Sequence, residues 1–365
     1  MKIIVDVMGG DKAPDETVKG VCLAAGEYNA TYILVGDRAE IERVAEENAL
    51  DIRRFDIVHT ETVINMEDDP LCVVRSKSDS SMATGLRLLA EDEGDAFVST
   101  GNTGALFTGA TLIVRKIKGV TRAGIGTVMP FQTPTLLLDT GANVTVTEEN
   151  LEQFGSMGSA YMRKMYNIAD PRVGLLNNGS ESCKGTELQQ TAYRKLSENP
   201  DINFVGNIEA NTAVFGGCDV LVADGFTGNI FLKAVEGVGK LMLLKLKDVL
   251  YSSTATKIAA LTMKKPLTAM KKDLDPKEHG GAPILGISKP VVKAHGSSDA
   301  IAFKNAIRQA IAYADSGVIY DLAASAQVFA ARKKEEHEQW KREQAVSAEK
   351  AVASDAPQAE NPPQS

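Results

Sequence analysis

Short apolar runs alternate with stretches of helical periodicity along most of the chain. Few of these runs show the polar alternation of a half-exposed strand, and most are followed by apolar residues spaced three and four positions apart. Such strand–helix units predict a largely parallel sheet that helices cover on both faces. The predicted strands lie at residues 3–7, 32–35, 55–59, 95–98, 123–129, 135–138, 173–176, 204–208 and 219–223, with a last one beginning at 291.

Two of the predicted helices bear on the candidate chemistry. A polar connection around residues 66–70 is expected to lead into a long helix that opens at Val73 and runs through Leu89. Another helix is expected to start directly after Gly104, so that a strand, a tight turn and a helix N-terminus follow one another.

That turn carries hydroxyl groups, an amide and two glycines. Glycines let backbone N–H groups approach a ligand closely, and the positive end of a helix dipole favours an anion. The turn therefore predicts a phosphate-type site. The alternative is that the glycines only shape the turn while Thr103 caps the helix. The candidate binding residues are Ser99, Thr100, Gly101, Asn102, Thr103 and Gly104.

Similar polar, glycine-rich turns follow other predicted strands. Ligands of open α/β sheets bind beyond the carboxyl ends of the strands, where the winding direction reverses. We therefore expect these turns to meet at one edge of the sheet and to form one site. The candidate residues in them are Asp11, Asn143, Lys184, Asp224, Thr227, Gly228, Asn229, His295, Ser297 and Ser298.

Composition limits the partners and the compartment. Forty Lys and Arg residues against forty-eight Asp and Glu residues give a net charge of −8, so nothing global favours nucleic acid. The four cysteines are scattered without a C-x-x-C pair, which favours reducing cytosol over a disulfide framework or a zinc site. The chain enters a strand without a signal-peptide layout, and no apolar run is long enough to span a bilayer. We expect a soluble protein, or one that lies on a membrane surface.

Several common catalytic fingerprints are missing from the sequence. It has neither G-x-G-x-x-G after the first strand nor G-x-x-x-x-G-K-[ST], which weakens the dinucleotide and P-loop interpretations. It also lacks H-E-x-x-H and a G-x-S-x-G nucleophile elbow. We expect no metal site.

Six segments carry a family resemblance. They read DVMGGDKAP at 6–14, STGNTGA at 99–105, DTGAN at 139–143, DGFTGN at 224–229, GGAP at 280–283 and AHGSS at 294–298. Together and in this order they resemble the bacterial acyl-acyl-carrier-protein:phosphate acyltransferases, the PlsX family, over about residues 1–330. One departure is Asn211, which stands where that family often has arginine.

The resemblance implies a function, partners and a fold. A long-chain acyl group would pass from acyl carrier protein to inorganic phosphate, giving acyl phosphate for phospholipid synthesis and, downstream, for a glycerol-3-phosphate acyltransferase. It also implies a homodimer and a three-layer, Rossmann-like parallel or mixed sheet like that of isocitrate and isopropylmalate dehydrogenases and of phosphotransacetylase.

That reaction needs little acid–base catalysis. Phosphate is already an anionic nucleophile and a thiolate leaves readily, so the site must place an anion and stabilise an oxyanion, and no cofactor is needed. Lys184 would neutralise phosphate or oxyanion charge, Asn229 and Asn102 would orient groups by hydrogen bonds, and His295 would protonate sulfur. In the alternative interpretations Lys184 is a solvated lysine, Asn229 a helix cap and His295 a strand-end residue with a structural hydrogen bond.

A helical segment at about 236–278 interrupts the strand–helix rhythm. Within residues 252–272, apolar side chains mix with lysines and there is no acidic residue. Such a surface suits an anionic membrane, and the residues expected to touch it are Ile258, Leu261, Lys264 and Lys265. The same surface could instead receive acidic acyl carrier protein or form a dimer interface.

The expected organisation is a single α/β catalytic domain at 1–335, with the 236–278 segment projecting as a helical pair at the dimer edge. A charged helix around Trp340 follows, and composition predicts disorder from Ala345 to Ser365 within a largely disordered tail at 336–365. The predicted location is the cytoplasm, peripherally on the inner face of the cell membrane.

Other functions stay open at this point. One is a short-chain phosphate acyltransferase that uses acyl-coenzyme A, and another is a dehydrogenase of related fold. A third is a membrane-peripheral protein without turnover that organises lipid enzymes.

Overall fold

The computed structural model describes residues 1–273 and 280–354 of the chain. Each strand predicted from the apolar runs coincides with an observed one, and β10 is a further strand that the pattern did not indicate. The strands are β1 (Lys2–Asp6), β2 (Thr31–Gly36), β3 (Asp56–His59), β4 (Ala96–Ser99), β5 (Gly124–Met129), β6 (Thr135–Leu138), β7 (Arg172–Asn177), β8 (Asn203–Glu209), β9 (Val220–Val222), β10 (Ala282–Leu285) and β11 (Val291–Lys293).

Helices connect most of these strands. They are α1 (Asp15–Glu27), α2 (Arg38–Glu47), α3 (Ser81–Ala90), α4 (Thr103–Gly109), α5 (Glu148–Tyr166), α6 (Glu187–Glu198), α7 (Ala210–Ala213), α8 (Gly225–Leu250), α9 (Thr254–Thr262), α10 (Lys264–Asp273), α11 (Ala300–Asp315) and α12 (Val318–Ser354). A 3₁₀ helix at Pro70–Val74 precedes α3, and a π-helical segment at Ala110–Arg115 continues α4.

The described strands form one eleven-stranded sheet in the order β3-β2-β1-β4-β11-β10-β5-β6-β9-β7-β8. Strands β1, β2, β3, β4 and β11 run parallel, β10 is antiparallel to both of its neighbours, and β5 and β6 form an antiparallel pair. Strands β6, β9, β7 and β8 are parallel to one another. The predicted α/β class with a parallel or mixed sheet is confirmed.

The β5–β6 pair reverses the strand direction. Since β5 runs in the same direction as β11, the strands from β6 to β8 point the opposite way. The polar turns consequently fall at two opposite ends of the sheet, and the prediction that all of them meet at one edge is wrong. The physical reason is that the short link between residues 129 and 135 closes a hairpin, whereas a parallel connection needs a longer crossover.

Apolar side chains alternate between the two faces of the sheet. On one face Val5, Val98 and Val292 pack with buried residues of α1, α5, α11 and α12. On the other face Ile4 and Phe97 pack with residues of α3 and α4, and the β6 and β9 side chains pack with α8. Helices thus cover both faces, and the strand ends remain for polar groups.

The helix before β4 begins later than predicted. Residues 70–74 form the 3₁₀ helix, and α3 starts only at Ser81, where the hydroxyl of Ser80 accepts a hydrogen bond from the N–H of Ala83 at 3.3 Å. The predicted start at Val73 is therefore wrong, because the caps of Asp69 and Ser80 divide the apolar periodicity into two separate elements.

Helices α8, α9 and α10 occupy the segment expected to project. None of the described side chains from 233 to 268 is buried, whereas Phe231 and Leu232 in the first half of α8 belong to the core. Residues 274–278 of the predicted segment lie outside the described residues. Within the described part of the chain, no helix combines the length and the apolar character needed to cross a bilayer.

The C-terminal helix is longer than composition indicates. Helix α12 continues to Ser354, although disorder is predicted from Ala345 onwards. The reason is local, because four of the nine residues from 345 to 353 are alanine, the best helix former. Residues 355–365 of the predicted tail lie outside the described residues.

Candidate active site

Three glycine-containing turns meet at the end of the sheet where β1, β4 and β11 terminate, which we name the first edge. The N–H of Asp11 donates to the carbonyl oxygen of Gly296 at 2.9 Å, and the Thr100 hydroxyl donates to the carbonyl oxygen of Gly9. A side chain on Gly9 would lie 2.8 Å from the backbone of Gly101. The turns are therefore held together by backbone contacts that only glycine permits at this position.

Asn102 serves this edge as a structural residue. Its side-chain oxygen caps α4 by accepting from the N–H of Ala105 at 3.0 Å. Its amide donates to the carbonyl oxygens of Asn65, Met66 and Asp68 at 3.3, 2.9 and 3.1 Å. The helix cap is thus Asn102, and the alternative that Thr103 caps the helix is wrong.

Most other side chains of this turn are also committed to internal contacts. The Ser99 hydroxyl donates to Asp6 Oδ2 at 2.7 Å and accepts from the N–H of Gly101 at 3.0 Å. Gly104 packs against Pro70, which a side chain would approach at 2.7 Å. Thr103 is exposed and is the residue of this turn whose side chain is open to solvent.

His295 stands at the exposed rim of the first edge. The N–H of Ser297 donates to its Nδ1 at 3.2 Å, so the neutral ring carries its proton on Nε2, and the Ser297 hydroxyl lies 2.9 Å from the same Nδ1. Burial, followed by the charges of Lys233 and Lys293, lowers the pKa of His295 below its ordinary value. At neutral pH His295 therefore offers a neutral N–H donor to a ligand.

The remaining predicted groups of this edge differ in exposure. Asp11 is exposed, whereas Ser298 is buried and donates its N–H to the carbonyl oxygen of His295 at 3.0 Å. The structure thus brings together Asp11, the 99–104 turn and residues 295–298 as expected.

Two buried charged residues at the first edge were missed by the sequence interpretation. Asp6 is 1% exposed at the end of β1, and Lys293 is 8% exposed at the end of β11. The available signal was a single charge closing an otherwise apolar strand. Charged side chains are seldom buried, and those that are buried often belong to functional sites. A charge at such a position therefore indicates a candidate site residue.

At the opposite end of the sheet, which we name the second edge, the turn after β6 is closed by its own side chains. The Asp139 carboxylate accepts from the backbone N–H of Asn143 at 2.7 Å and from its side-chain amide at 2.9 Å. That amide also donates to the carbonyl oxygen of Ala123 at 2.7 Å. Asn143 is buried and serves the turn.

The start of α8 packs on this turn. The N–H of Gly225 donates to the carbonyl oxygen of Asn143 at 2.8 Å, and a side chain on Gly228 would overlap the carbonyl oxygen of Asp139. Asp224 caps the helix by accepting from the N–H and the hydroxyl of Thr227 at 2.8 and 2.7 Å. A carboxylate thus occupies the helix N-terminus, where a second anion would be repelled.

The two catalytic candidates of the second edge are exposed. Lys184 makes a loose ion pair with Glu181 at 3.9 Å, and Asn229 lies beside Gly141 in the first turns of α8. Asn229 is inside the helix, so its interpretation as a cap is wrong. Within the described part of the chain, no hydrogen bond or ion pair joins either residue to His295.

Helix α8 connects the two edges. It starts at the second edge, and its Lys233 comes close enough to the first edge to act electrostatically on both His295 and Lys293. Lys233 itself pairs with Glu236 at 2.8 Å. The first edge therefore combines two lysine side chains, a neutral imidazole and the carboxylates of Asp6 and Asp11. The lysines and the imidazole N–H are groups that can hold an anion. Among the residues that the structure describes, no cluster of His, Cys, Asp and Glu could hold a metal ion.

The chain was compared with known proteins. Residues 1–321 match the family model described as "Fatty acid synthesis protein". The chain belongs to this family. Its relatives include the phosphate acyltransferase of Acetivibrio thermocellus, 45% identical over 318 residues, which cover 87% of this chain and 94% of that protein. The phosphate acyltransferase of Thermotoga neapolitana is 47% identical over 312 residues, 85% of this chain and 92% of that protein. The resemblance to the PlsX family is thereby confirmed, and this member is an acyltransferase.

Solved structures agree at the level of the fold. A phosphotransacetylase from Streptococcus pyogenes superposes with a TM-score of 0.60 at 18% identity and covers 86% of this chain and 94% of that chain. The EutD phosphotransacetylase from Staphylococcus aureus gives a TM-score of 0.55 at 15% identity, with 87% and 94% covered. The likeness to isocitrate and isopropylmalate dehydrogenases stays a prediction.

Proposed function

We propose that this acyltransferase moves a long-chain fatty acyl group from acyl carrier protein to inorganic phosphate. The observation that carries the proposal is the match of nearly its whole α/β part to phosphate acyltransferases. The geometry supports it, because the first edge gathers lysine side chains and an imidazole N–H donor, which are groups that can hold an anion. The product, an acyl phosphate, would enter phospholipid synthesis through a glycerol-3-phosphate acyltransferase.

The proposed step transfers the acyl group from the carrier sulfur to a phosphate oxygen. A phosphate oxygen forms a bond to the thioester carbonyl carbon, the C–S bond breaks, and the carrier thiolate leaves and takes up a proton. Charge accumulates on the carbonyl oxygen in the transition state, so donors fixed before the reaction stabilise it. The Nε2–H of His295 is such a donor at neutral pH.

Lys184 and Asn229 remain catalytic candidates on a different ground. Unlike Asn143, Asp224 and Thr227, they have exposed side chains that the turns of the second edge do not use. We assign Lys184 to the charge of phosphate or oxyanion and Asn229 to orientation of the acyl donor.

Membrane contact is the second part of the proposal. Helix α9 has no buried residue, and its Ile258 and Leu261 are 61% and 73% exposed. Lys264 and Lys265 follow at the start of α10 and are also exposed. Each basic residue near an anionic bilayer contributes about 1 kcal/mol, and apolar side chains insert between the headgroups.

Such contact would place the protein in the cytoplasm at the inner face of the membrane and would pass the acyl phosphate directly into lipid. We also propose a homodimer. Several apolar side chains in the second half of α8 are more than half exposed and would suit a partner copy, namely Val238, Leu241, Met242, Leu244 and Val249.

One assay tests the activity. Purified protein is incubated with labelled phosphate and either long-chain acyl carrier protein or acetyl-coenzyme A, and acyl phosphate is measured. Product from the carrier-protein substrate is the expected result. Product from acetyl-coenzyme A alone would favour the short-chain enzyme, and binding of both substrates without any product would favour a scaffold.

A further inference from the structure

The three central parallel strands of the first edge end in a row of polar residues. Asp6 on β1 is in register with Ser99 on β4, and Ser99 is in register with Lys293 on β11. Residues in register on adjacent parallel strands project from the same face, and all three side chains are buried. A carboxylate, a hydroxyl and an ammonium group thus lie side by side beneath the turns.

The ammonium group at the end of this row donates to backbone carbonyl oxygens. Lys293 Nζ donates to the carbonyl oxygen of Thr100 at 3.2 Å and to that of Ala294. Among the residues that the structure describes, no carboxylate lies within ion-pair distance of it, and its third N–H is not used. A buried ammonium group of this kind is costly unless a counter-ion completes it.

The carboxylate of the row is already engaged. Asp6 Oδ2 accepts from the Ser99 hydroxyl at 2.7 Å, and Oδ1 accepts from the N–H groups of Met8 and Gly9 at 3.2 Å each. These contacts hold Asp6 to its own turn. Asp6 influences Lys293 only as a charge at longer range.

The surroundings of Lys293 leave its protonation finely balanced. The pKa of Lys293 is lowered to about 8, mainly by burial; the charges of Asp11 and Asp6 oppose this shift, and the charge of Lys233 on α8 adds to it. The neighbouring His295 feels the Lys293 charge and has a lowered pKa of its own, so it is neutral in this range. A dianion beside the amine would stabilise its protonated form.

We propose that Lys293 supplies the positive charge that binds the transferred phosphate, as inorganic phosphate before the reaction and as the phosphate group of the product. The inference rests on the proposed function and names a residue of the same site. Thr103 and His295, in the turns that follow β4 and β11, are exposed, and the proposal requires that a small anion reach Lys293 from this side.

A pH effect follows from the loss of charge at Lys293. Above about pH 8 the free protein loses the ammonium proton, whereas inorganic phosphate has already become the dianion. The KM for phosphate should therefore rise about tenfold for each pH unit above 8. Binding of phosphate at about pH 9 should take up nearly one proton from the buffer.

The test compares Lys293→Met with Lys289→Met. Lys289 precedes the same strand and also donates to a backbone carbonyl, that of Leu89 at 2.7 Å, but it pairs with Asp92. Lys293→Met should raise the KM for phosphate about 10- to 100-fold with a smaller change in kcat. The KM of this variant should no longer rise above about pH 8. Lys289→Met should keep the KM for phosphate of the unaltered protein, together with the rise of that KM above about pH 8.

Calorimetry gives a second measurement that needs no turnover. Inorganic phosphate is titrated into the unaltered protein and into Lys293→Met at about pH 9, in two buffers of different ionisation enthalpy. Proton uptake by the unaltered protein that disappears in the variant supports the inference. If Lys293→Met does not fold, Lys293→Gln, which keeps a hydrogen-bond donor, replaces it in the same titration.

The outcomes separate the two proposals. The role of Lys293 is overturned if Lys293→Met keeps the KM for phosphate and its rise above about pH 8. It is also overturned if the unaltered protein binds phosphate without proton uptake, even when acyl phosphate is formed. Failure of the unaltered protein to form acyl phosphate with any donor overturns the proposed function, while the calorimetry still decides whether Lys293 binds phosphate.

Discussion

The side-chain amide of Asn102 donates to the carbonyl oxygen of Met66 at 2.9 Å, which fastens the loop at 65–68 over the first edge. The same side chain caps α4 through its oxygen. One residue therefore holds both a helix N-terminus and a loop, and Met66 in turn lies next to Gly296.

This double role separates two substitutions of Asn102. Asn102→Asp keeps the capping oxygen but loses the donated hydrogen bonds, so amides at 65–68 should exchange faster while α4 stays protected. Asn102→Ala should lose both and reduce the free energy of unfolding by about 1 kcal/mol or more. Hydrogen exchange and urea unfolding check this, with exposed Asn211→Ala as the control. Unchanged protection of 65–68 in Asn102→Asp would contradict the assignment.

The titration of His295 depends on the charge of Lys233. Burial lowers the pKa of His295, and Lys233 lowers it further, so His295 is neutral at pH 7. Lys233→Met removes a positive charge, which favours the imidazolium and should move this pKa upward. NMR titration of the imidazole measures it, with Lys240→Met on the same helix as the control. A pKa that stays in place would show that the Lys233 charge does not reach His295.

Lys184 is expected to act in catalysis and not in folding. Its side chain is 46% exposed and makes only a loose ion pair, so Lys184→Ala should leave the unfolding transition in place. Acyl-phosphate formation should fall about 100-fold or more if the ammonium group stabilises developing charge. Lys240→Ala, at an exposed position on α8, serves as the control. Near-normal turnover of Lys184→Ala would remove Lys184 from the mechanism.

The exposed surface of α9 and α10 is expected to bind anionic vesicles. Leu261→Glu combined with Lys264→Glu reverses charge and removes apolar contact, so flotation with such vesicles should be lost. A matched control is Leu23→Glu with Lys19→Glu on α1, where Leu23 is 46% exposed. Binding that survives the first pair of changes would show that the surface contacts something else.

The C-terminal helix is fastened by a buried carboxylate. Glu152 on α5 is 2% exposed and pairs with Arg332 at 2.6 Å and with Lys333 at 3.0 Å. Arg332→Ala leaves that carboxylate incompletely paired and should lower the free energy of unfolding by about 2 kcal/mol. Lys334→Ala, at an exposed position on the same helix, should change it by less than about 0.5 kcal/mol. Equal effects in urea unfolding would contradict the role of Glu152.

Much of the fold could be predicted from local pattern. The apolar runs located the strands, because a buried strand needs a continuous apolar stretch whatever its neighbours are. Strand direction could not be read the same way, since an apolar run looks alike in either direction. The short link between residues 129 and 135 was the available signal for the hairpin, and it was overlooked.

The candidate site shows the same division. The sequence by itself determined the family, through motifs that do not depend on knowing where they meet, and it determined which turns carry polar groups. Only the tertiary structure decided that the Asn102 side chain caps α4 and holds the loop at 65–68. It also decided that Asn143 and Asp224 form hydrogen bonds within their own turns, and that Lys293 lies buried beside Ser99. The reason is that hydrogen-bond partners and burial arise between residues distant in sequence, where spacing along the chain carries no record of them.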